Sequence, residues 1–164
     1  MIENYLNQLM GFLSRILNDD NPSEISFEEI YHSCYKICIN KGELELLNRL
    51  DKTLEVHLTS IGRQLISLIN EDFYEKLLHY YFDYLNKIGV IQKTMMYLEN
   101  NYLSKKGTNV LIIANIKFKS FLFRSDFEKQ LRDYLMDSLI KDRNKTYINK
   151  ILFSNIIKMI VSST

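Results

Sequence analysis

The feature that most limits the fold of this chain is the scarcity of residues that interrupt a helix. One proline and five glycines occur among 164 residues, and apolar residues recur three and four positions apart over most of the length. Residues 110–116 have the composition of a strand, but Phe118, Phe121 and Leu122 continue the pattern at helical spacing, which favours a helix. The sequence therefore predicts an all-α fold of about five to seven antiparallel helices.

Amphipathic periodicity and capping residues mark the first two helices. Apolar residues at the 3,4 spacing cover residues 2–17, and a polar segment that contains the single proline ends the pattern. Ser26 and Glu29 have the spacing of a capping box, in which each side chain satisfies a backbone N–H group of the other. Lys41-Gly42 has the composition of a helix end. The second helix is therefore expected between these two signals.

The rest of the chain also follows a helical period. Residues 46–61 define a third helix, which we expect to loosen near Gly62. A long run over 65–102 predicts the arm of a hairpin, with a possible break along its length. Residues 125–128 have the spacing of another helix cap. The last apolar segment, 148–160, is apolar on nearly all sides and predicts a helix that packs on both faces.

Residues 26–38, SFEEIYHSCYKIC, carry an apolar face that is wider than one core requires. With successive residues about 100° apart, the face spans roughly 160°, whereas packing on a single core takes about 100°. In order across this arc stand Ile37, Ile30, Cys34, Phe27, Cys38, Tyr31 and Tyr35. The isoleucine edge can face the parent domain, which leaves the aromatic edge for a second surface. Tyrosine suits such a surface, because its ring buries apolar area while its hydroxyl stays hydrogen-bonded at a wet rim.

A second outward face is predicted on the long arm. The inner side of that arm carries Ile88, Ile91, Met95, Leu98 and Tyr102. The opposite side carries Gly89, Lys93, Met96, Tyr97 and Asn100. Methionine and tyrosine are unexpected on a solvent face, so either another helix of the domain covers them or they form a contact surface. In a contact surface, methionine adapts to the partner and tyrosine anchors it.

The composition argues against several classes of partner. The 21 lysine and arginine residues nearly balance the 20 acidic ones, so no overall field favours nucleic acid or an acidic membrane. Cys34 and Cys38 lie four positions apart on one helix, a spacing that rarely permits disulfide geometry, and they predict reduced thiols. No secretory signal and no apolar stretch of about 20 residues is apparent. We therefore expect a soluble protein of the cytoplasm and nucleus.

Candidate catalytic and metal-binding groups are isolated from one another. His32, His57 and His79 have no second histidine, carboxylate or cysteine at a ligand spacing. Cys34 and Cys38 lack the C-x-x-C spacing of redox and zinc sites. Neither a glycine-rich phosphate loop nor a nucleophile elbow occurs. The sequence predicts no catalytic residues, no metal and no cofactor.

Five segments, taken in order, carry a resemblance to a known family. They are SFEEIYHSCYKIC, LLNRLDKTLEVHL, MMYLENNYL, LFRSDF and IKDRNKTYINKILFSNIIKMI. The first is similar to S-[FY]-x-E-L-Y-x-x-[AV]-Y, and the third to [ML]-[FY]-[LM]-[DN]-R-x-[YW]-V. Together they resemble the N-terminal region of the cullins, which are the elongated scaffolds of multisubunit RING-type ubiquitin ligases. The resemblance runs nearly from end to end.

The resemblance implies a stalk-like cullin-repeat bundle over residues 1–164, a single domain whose second and fifth helices bind an adaptor. The family's contact positions fall on Phe27, Tyr31, Cys34 and Tyr35 in the second helix, and on Lys93, Met96, Tyr97 and Asn100 in the fifth. The implied partner is a Skp-like or BTB-fold adaptor that carries a substrate receptor. A RING subunit would join only through a C-terminal domain, which we expect to be absent here together with the later repeats.

Departures from the family pattern leave the adaptor class open. The usual M-I-R-D-I reads Val90–Thr94 here, which removes an Arg/Asp pair and leaves Lys93 at a contact position, and Asn100 replaces the signature arginine. SFEEIY is most similar to cullins that use BTB proteins. The expected function is a non-catalytic scaffold for ubiquitin-dependent degradation. The alternative is a free-standing helical interaction module that is unrelated to ubiquitin ligation.

Overall fold

A computed structural model describes residues 2–19, 26–67, 73–122 and 133, and these ranges contain helices and short turns but no strand. The helices are α1 (Glu3–Leu17), α2 (Phe27–Ile39), α3 (Glu43–Ser67), α4 (Phe73–Thr94), α5 (Met96–Leu98) and α6 (Val110–Leu122). The all-α prediction is confirmed, and residues 110–122 form a helix rather than a strand. The cap predicted at 125–128 and the helix predicted at 148–160 lie outside the described residues.

The chain divides into two compact units, Met1–His57 with Tyr84–Ala114 and Leu58–Asp83 with Asn115–Thr164. The core of the first unit is built from the apolar stripes of α1, α2, α3 and α4. Its fully buried side chains include Leu6, Leu9, Phe12, Leu13, Ile30, Ile37, Leu46, Leu50, Ile88 and Ile91. Each such aliphatic or aromatic side chain contributes about 1.5–3 kcal/mol of transfer free energy. The predicted 3,4 spacing thus identifies the buried faces.

Both ends of α2 follow local hydrogen-bonding rules. Ser26 is the N-cap, and its Oγ accepts from the backbone N–H of Glu28 at 3.2 Å, one residue before the Glu29 of the predicted capping box. At the other end, the N–H of Gly42 donates to the carbonyl of Ile37 at 2.9 Å, and the N–H of Lys41 to that of Cys38 at 3.0 Å. This pair of bonds is a Schellman motif.

The left-handed residue of this motif is Lys41, with φ 60°, and not the glycine. Gly42 serves packing instead, because a Cβ there would lie 2.9 Å from the side chain of Ile2 and 2.9 Å from that of Ile37. The predicted helix end is therefore in the right place, but the glycine is needed because the side chains of Ile2 and Ile37 approach its backbone closely.

α3 continues without interruption past Gly62, so the predicted loosening there is wrong. A Cβ on Gly62 would lie 2.3 Å from Cζ of Phe121, which means that the ring of Phe121 packs directly on the helix backbone. In the same unit, Tyr81 packs on Phe118 with ring centroids 4.8 Å apart, and its hydroxyl donates to Oδ1 of Asn115 at 2.7 Å. Gly62 therefore permits contact between α3 and α6.

The run predicted over 65–102 is divided in the structure, because residues 65–67 belong to α3 and α4 ends at Thr94. The Thr94 hydroxyl donates to the carbonyl of Ile91 at 2.7 Å, a side-chain bond that competes with the helical ladder and often bends helices. After α5 the backbone widens into a π-helical turn, Glu99–Leu103, followed by a 3₁₀ turn, Ser104–Lys106. The wider turn shifts the register, so that Leu103 is buried whereas Tyr102, predicted on the inner side, is only half-buried.

Candidate functional site

The two edges of α2 have the predicted difference in burial. Ile30, Cys34 and Ile37 are fully buried, whereas Phe27 is 47% exposed and Tyr31 is 41% exposed. The ring of Phe27 lies edge-on to that of Phe12 in α1, with centroids 5.7 Å apart. The inner edge of α2 therefore belongs to the core, and its aromatic edge reaches the surface.

The residues of the second predicted face lie around the break after α4. Lys93 is in the last turn of α4, Met96 and Tyr97 are in α5, and Asn100 is in the π-helical turn. Lys93 and Asn100 are exposed, Met96 is 44% exposed and Tyr97 is half-buried. The alternative in which another helix covers both Met96 and Tyr97 therefore fails for Met96 and holds in part for Tyr97, which packs on α2.

A contact between Tyr35 and Tyr97 joins these two faces. Their ring centroids are 4.8 Å apart and the ring planes meet at 85°, an edge-to-face arrangement. α2 and α5 pack against each other around this contact. We use the term docking face for the surface formed by Phe27, Tyr31, Tyr35, Lys93, Met96, Tyr97 and Asn100. Sequence periodicity identified its two parts, and the fold brings them together in the first unit.

An open cleft of about 440 Å³ runs along the docking face. Its lining consists of Phe27, Glu28, Tyr31, His32, Tyr35 and Lys93. Glu28 and His32 were not among the predicted contact residues, and His32 was interpreted as an isolated histidine. The ring of His32 lies 6.4 Å from that of Tyr5 and 6.2 Å from that of Tyr35, between centroids. The cleft thus combines aromatic rings with both signs of charge at its margin.

Cys34 lies beneath the docking face. Its side chain is fully buried, so it has no surface to offer a partner in this structure, although the family resemblance placed a contact there. Both cysteines are free thiols. Cys38 donates its S–H to Cys34, and this hydrogen bond together with burial raises the pKa of Cys38. The same hydrogen bond lowers the pKa of Cys34, and the two buried side chains act as small apolar packing under the rings.

The described residues contain no cluster of three or more histidine, cysteine, aspartate or glutamate side chains that could hold a metal ion. His57 stacks on Tyr84 at 6.2 Å between ring centroids, and His79 lies beside Tyr80 at the same separation.

Within the described ranges, no helix is both long and apolar enough to cross a membrane. The groups available at the docking face are aromatic rings, hydroxyls and a few charged side chains, which can contact a partner.

Comparison with known proteins agrees with the family resemblance. The model of the cullin alpha solenoid domain matches residues 6–164. Cullin-3 of Dictyostelium discoideum is 25% identical over 160 residues, covering 94% of this chain and 20% of the relative. Cullin-3 of Caenorhabditis elegans is 25% identical over 98% of this chain and 22% of the relative, and cullin-3B of Arabidopsis thaliana is 28% identical over 85% and 19%. The chain thus spans about a fifth of the length of these curated relatives. On this match, which covers nearly every residue, the chain belongs to the cullin family.

Proposed function

We propose that this chain is the adaptor-binding part of a cullin scaffold in a ubiquitin ligase, and that it has no catalytic role. The observation that carries the proposal is the docking face, where the two outward faces predicted from periodicity meet on the positions at which the family resemblance places adaptor contacts. The adaptor would be a Skp-like or BTB-fold protein carrying a substrate receptor. The assembly would act in the cytoplasm and nucleus.

Tyr31 and Met96 are the exposed anchors in this proposal. Tyr31 is 41% exposed and Met96 is 44% exposed, so each has apolar area to lose when a partner covers it. Residues of this kind at the centre of an interface commonly account for 2 kcal/mol or more of binding free energy, by order of magnitude. The phenolic hydroxyl can remain hydrogen-bonded at the rim while the ring is covered.

The underside of the docking face supports binding by holding it in one conformation. Ile30, Cys34 and Ile37 are fully buried beneath α2, and the Tyr35–Tyr97 contact fixes α5 against it. A surface that is already ordered loses less conformational entropy when it binds. A rigid helical support would also hold the receptor and its substrate at a set distance from the ubiquitin carrier, which makes the encounter oriented.

Among adaptor classes we favour the BTB fold, since SFEEIY is most similar to cullins that use BTB proteins. The relatives described above are themselves named cullin-3. A Skp-like adaptor is the alternative, and the experiment must distinguish it from a BTB-fold adaptor.

Calorimetric titration of the chain with a purified BTB domain and with a purified Skp-like adaptor from the same organism tests the proposal. We expect one of them to bind, and Tyr31→Ala to weaken that binding by about 1–4 kcal/mol without loss of helical content. Leu44→Ala is the matched control, because Leu44 is 65% exposed on α3 of the same unit but lies outside the docking face. A folded chain that binds neither protein would contradict the proposal and favour an interaction module unrelated to ubiquitin ligation.

A further inference from the structure

Lys93 is the residue of the cleft lining that does not belong to α2. It is exposed in the last turn of α4 and faces the cleft lined by the rings of Phe27, Tyr31 and Tyr35. These three rings stand four residues apart on the helix, which spaces them by about 6 Å along its axis. If a side chain of the partner packs on these three rings, the partner residues next to it therefore lie close to the Lys93 ammonium group.

The charge of Lys93 has no compensation nearby on its own segment. The residues three and four positions before and after it, which are its neighbours on a helix surface, are Gly89, Val90, Met96 and Tyr97. None of them carries a carboxylate. Among the residues that the structure describes, Lys93 forms no ion pair closer than 4.0 Å. The exposed ammonium group of Lys93 is thus stabilised mainly by hydration.

Glu28 also lines the cleft, but its surroundings differ. It lies in the first turn of α2, where the positive end of the helix dipole favours a carboxylate, and His32 is its neighbour four residues on. It forms no ion pair with Lys93 within 4.0 Å. A group that enters the cleft therefore meets two separate charges, and the sign of its own charge decides which of them attracts it.

Covering the cleft with a partner removes water from Lys93. A charge that loses its hydration without gaining an opposite charge weakens binding, whereas a well-placed opposite charge improves both affinity and specificity. Building on the adaptor-binding function proposed above, we propose that the adaptor places a carboxylate opposite Lys93, beside the apolar side chain that it lays on the rings of α2. Lys93 is then a specificity-determining residue of the docking face.

The test measures binding of the adaptor that binds the wild-type chain, as a BTB domain or a Skp-like protein, to four variants in about 0.15 M salt. Lys93→Met keeps the apolar stem and removes the charge, and should weaken binding roughly 3-fold to 10-fold. Lys93→Glu should weaken it roughly 10-fold to 100-fold. Glu28→Gln should leave binding unchanged or make it tighter, because it removes a charge that repels a carboxylate.

Lys52→Glu is the matched control for the charge reversal. Lys52 is exposed on α3 and does not line the cleft, so its reversal changes the net charge by the same amount without changing the cleft lining. Thermal melting of each variant separates a change in folding from a change in contact, and Lys93→Met serves if the reversal alters the end of α4. Replacing the adaptor's acidic residues by lysine, one at a time, should restore binding to Lys93→Glu at one position.

The outcomes separate this inference from the function on which it rests. Equal effects of Lys93→Glu and Lys52→Glu, or tighter binding by Lys93→Glu, would overturn the paired carboxylate while the adaptor-binding function stood. Tighter binding by Lys93→Met together with weaker binding by Glu28→Gln would assign a cation to the partner instead. Failure of the folded wild-type chain to bind either adaptor class would overturn both proposals.

Discussion

Replacing Tyr35 and Tyr97, singly and together, tests whether their contact holds α2 against α5. The ring centroids are 4.8 Å apart and the planes meet at 85°. Aromatic pairs in this geometry contribute about 0.5–1.5 kcal/mol beyond the area that they bury. We therefore expect the double-mutant cycle of Tyr35→Ala and Tyr97→Ala to give a coupling free energy of about 1 kcal/mol.

The single substitutions should each be costly as well. Tyr35 and Tyr97 are half-buried, so each truncation removes roughly 100 Å² of buried apolar area, or about 2–3 kcal/mol. Adding the ring contact, each variant should lose about 3–4 kcal/mol of unfolding free energy. Tyr31 makes no ring contact with any residue in the described part of the chain, so its cycle with Tyr97 should give a coupling below about 0.3 kcal/mol.

Urea unfolding followed by far-ultraviolet circular dichroism measures these free energies. Additive effects of Tyr35→Ala and Tyr97→Ala would refute the contact, as would an equal coupling in the Tyr31 cycle. Titration with the adaptor should also distinguish the Tyr35→Ala variant from the Tyr31→Ala variant. Tyr35→Ala should lose stability and affinity together, whereas Tyr31→Ala should lose mainly affinity. From the sequence, both tyrosines were expected to be contact residues.

Two further predictions concern packing and pH. Gly62→Ala should destabilise the protein by about 1–3 kcal/mol, because its Cβ would lie 2.3 Å from Cζ of Phe121. Gly11→Ala, where no heavy atom lies within 4 Å, should stabilise it by about 0.5–1 kcal/mol, and equal losses in thermal melting of the two variants would contradict the packing explanation. The hydrogen bond to Cys34 raises the pKa of Cys38, so above about pH 9, where the unfolded chain has released both thiol protons, the folded chain keeps that of Cys38 and stability should fall as the pH rises. Urea unfolding of the double variant Cys34→Ala with Cys38→Ala should show a shallower fall above about pH 9 than the wild type, and parallel curves would argue against a thiol proton kept by the folded chain.

For the residues that the structure describes, the sequence by itself determined the helical class, the buried faces of the helices and the aromatic edge of α2. These features depend on neighbours within about one helical turn, since the 3,4 spacing selects the face and short-range hydrogen bonds select the ends. Ile30 and Ile37 were expected in the core and Phe27 and Tyr31 at the surface, and all four lie there. The end of α2 was also placed within two residues.

Tertiary structure decided the features that need a partner distant in sequence. The need for glycine at position 62 of α3 comes from the ring of Phe121 in α6, and no pattern around residue 62 reveals that ring. The break after Thr94 lets Tyr97 meet Tyr35, which turns two separate faces into one surface and places Lys93 beside the α2 rings. Local periodicity can state which way a side chain points, but the side chain that it meets depends on how distant segments pack together.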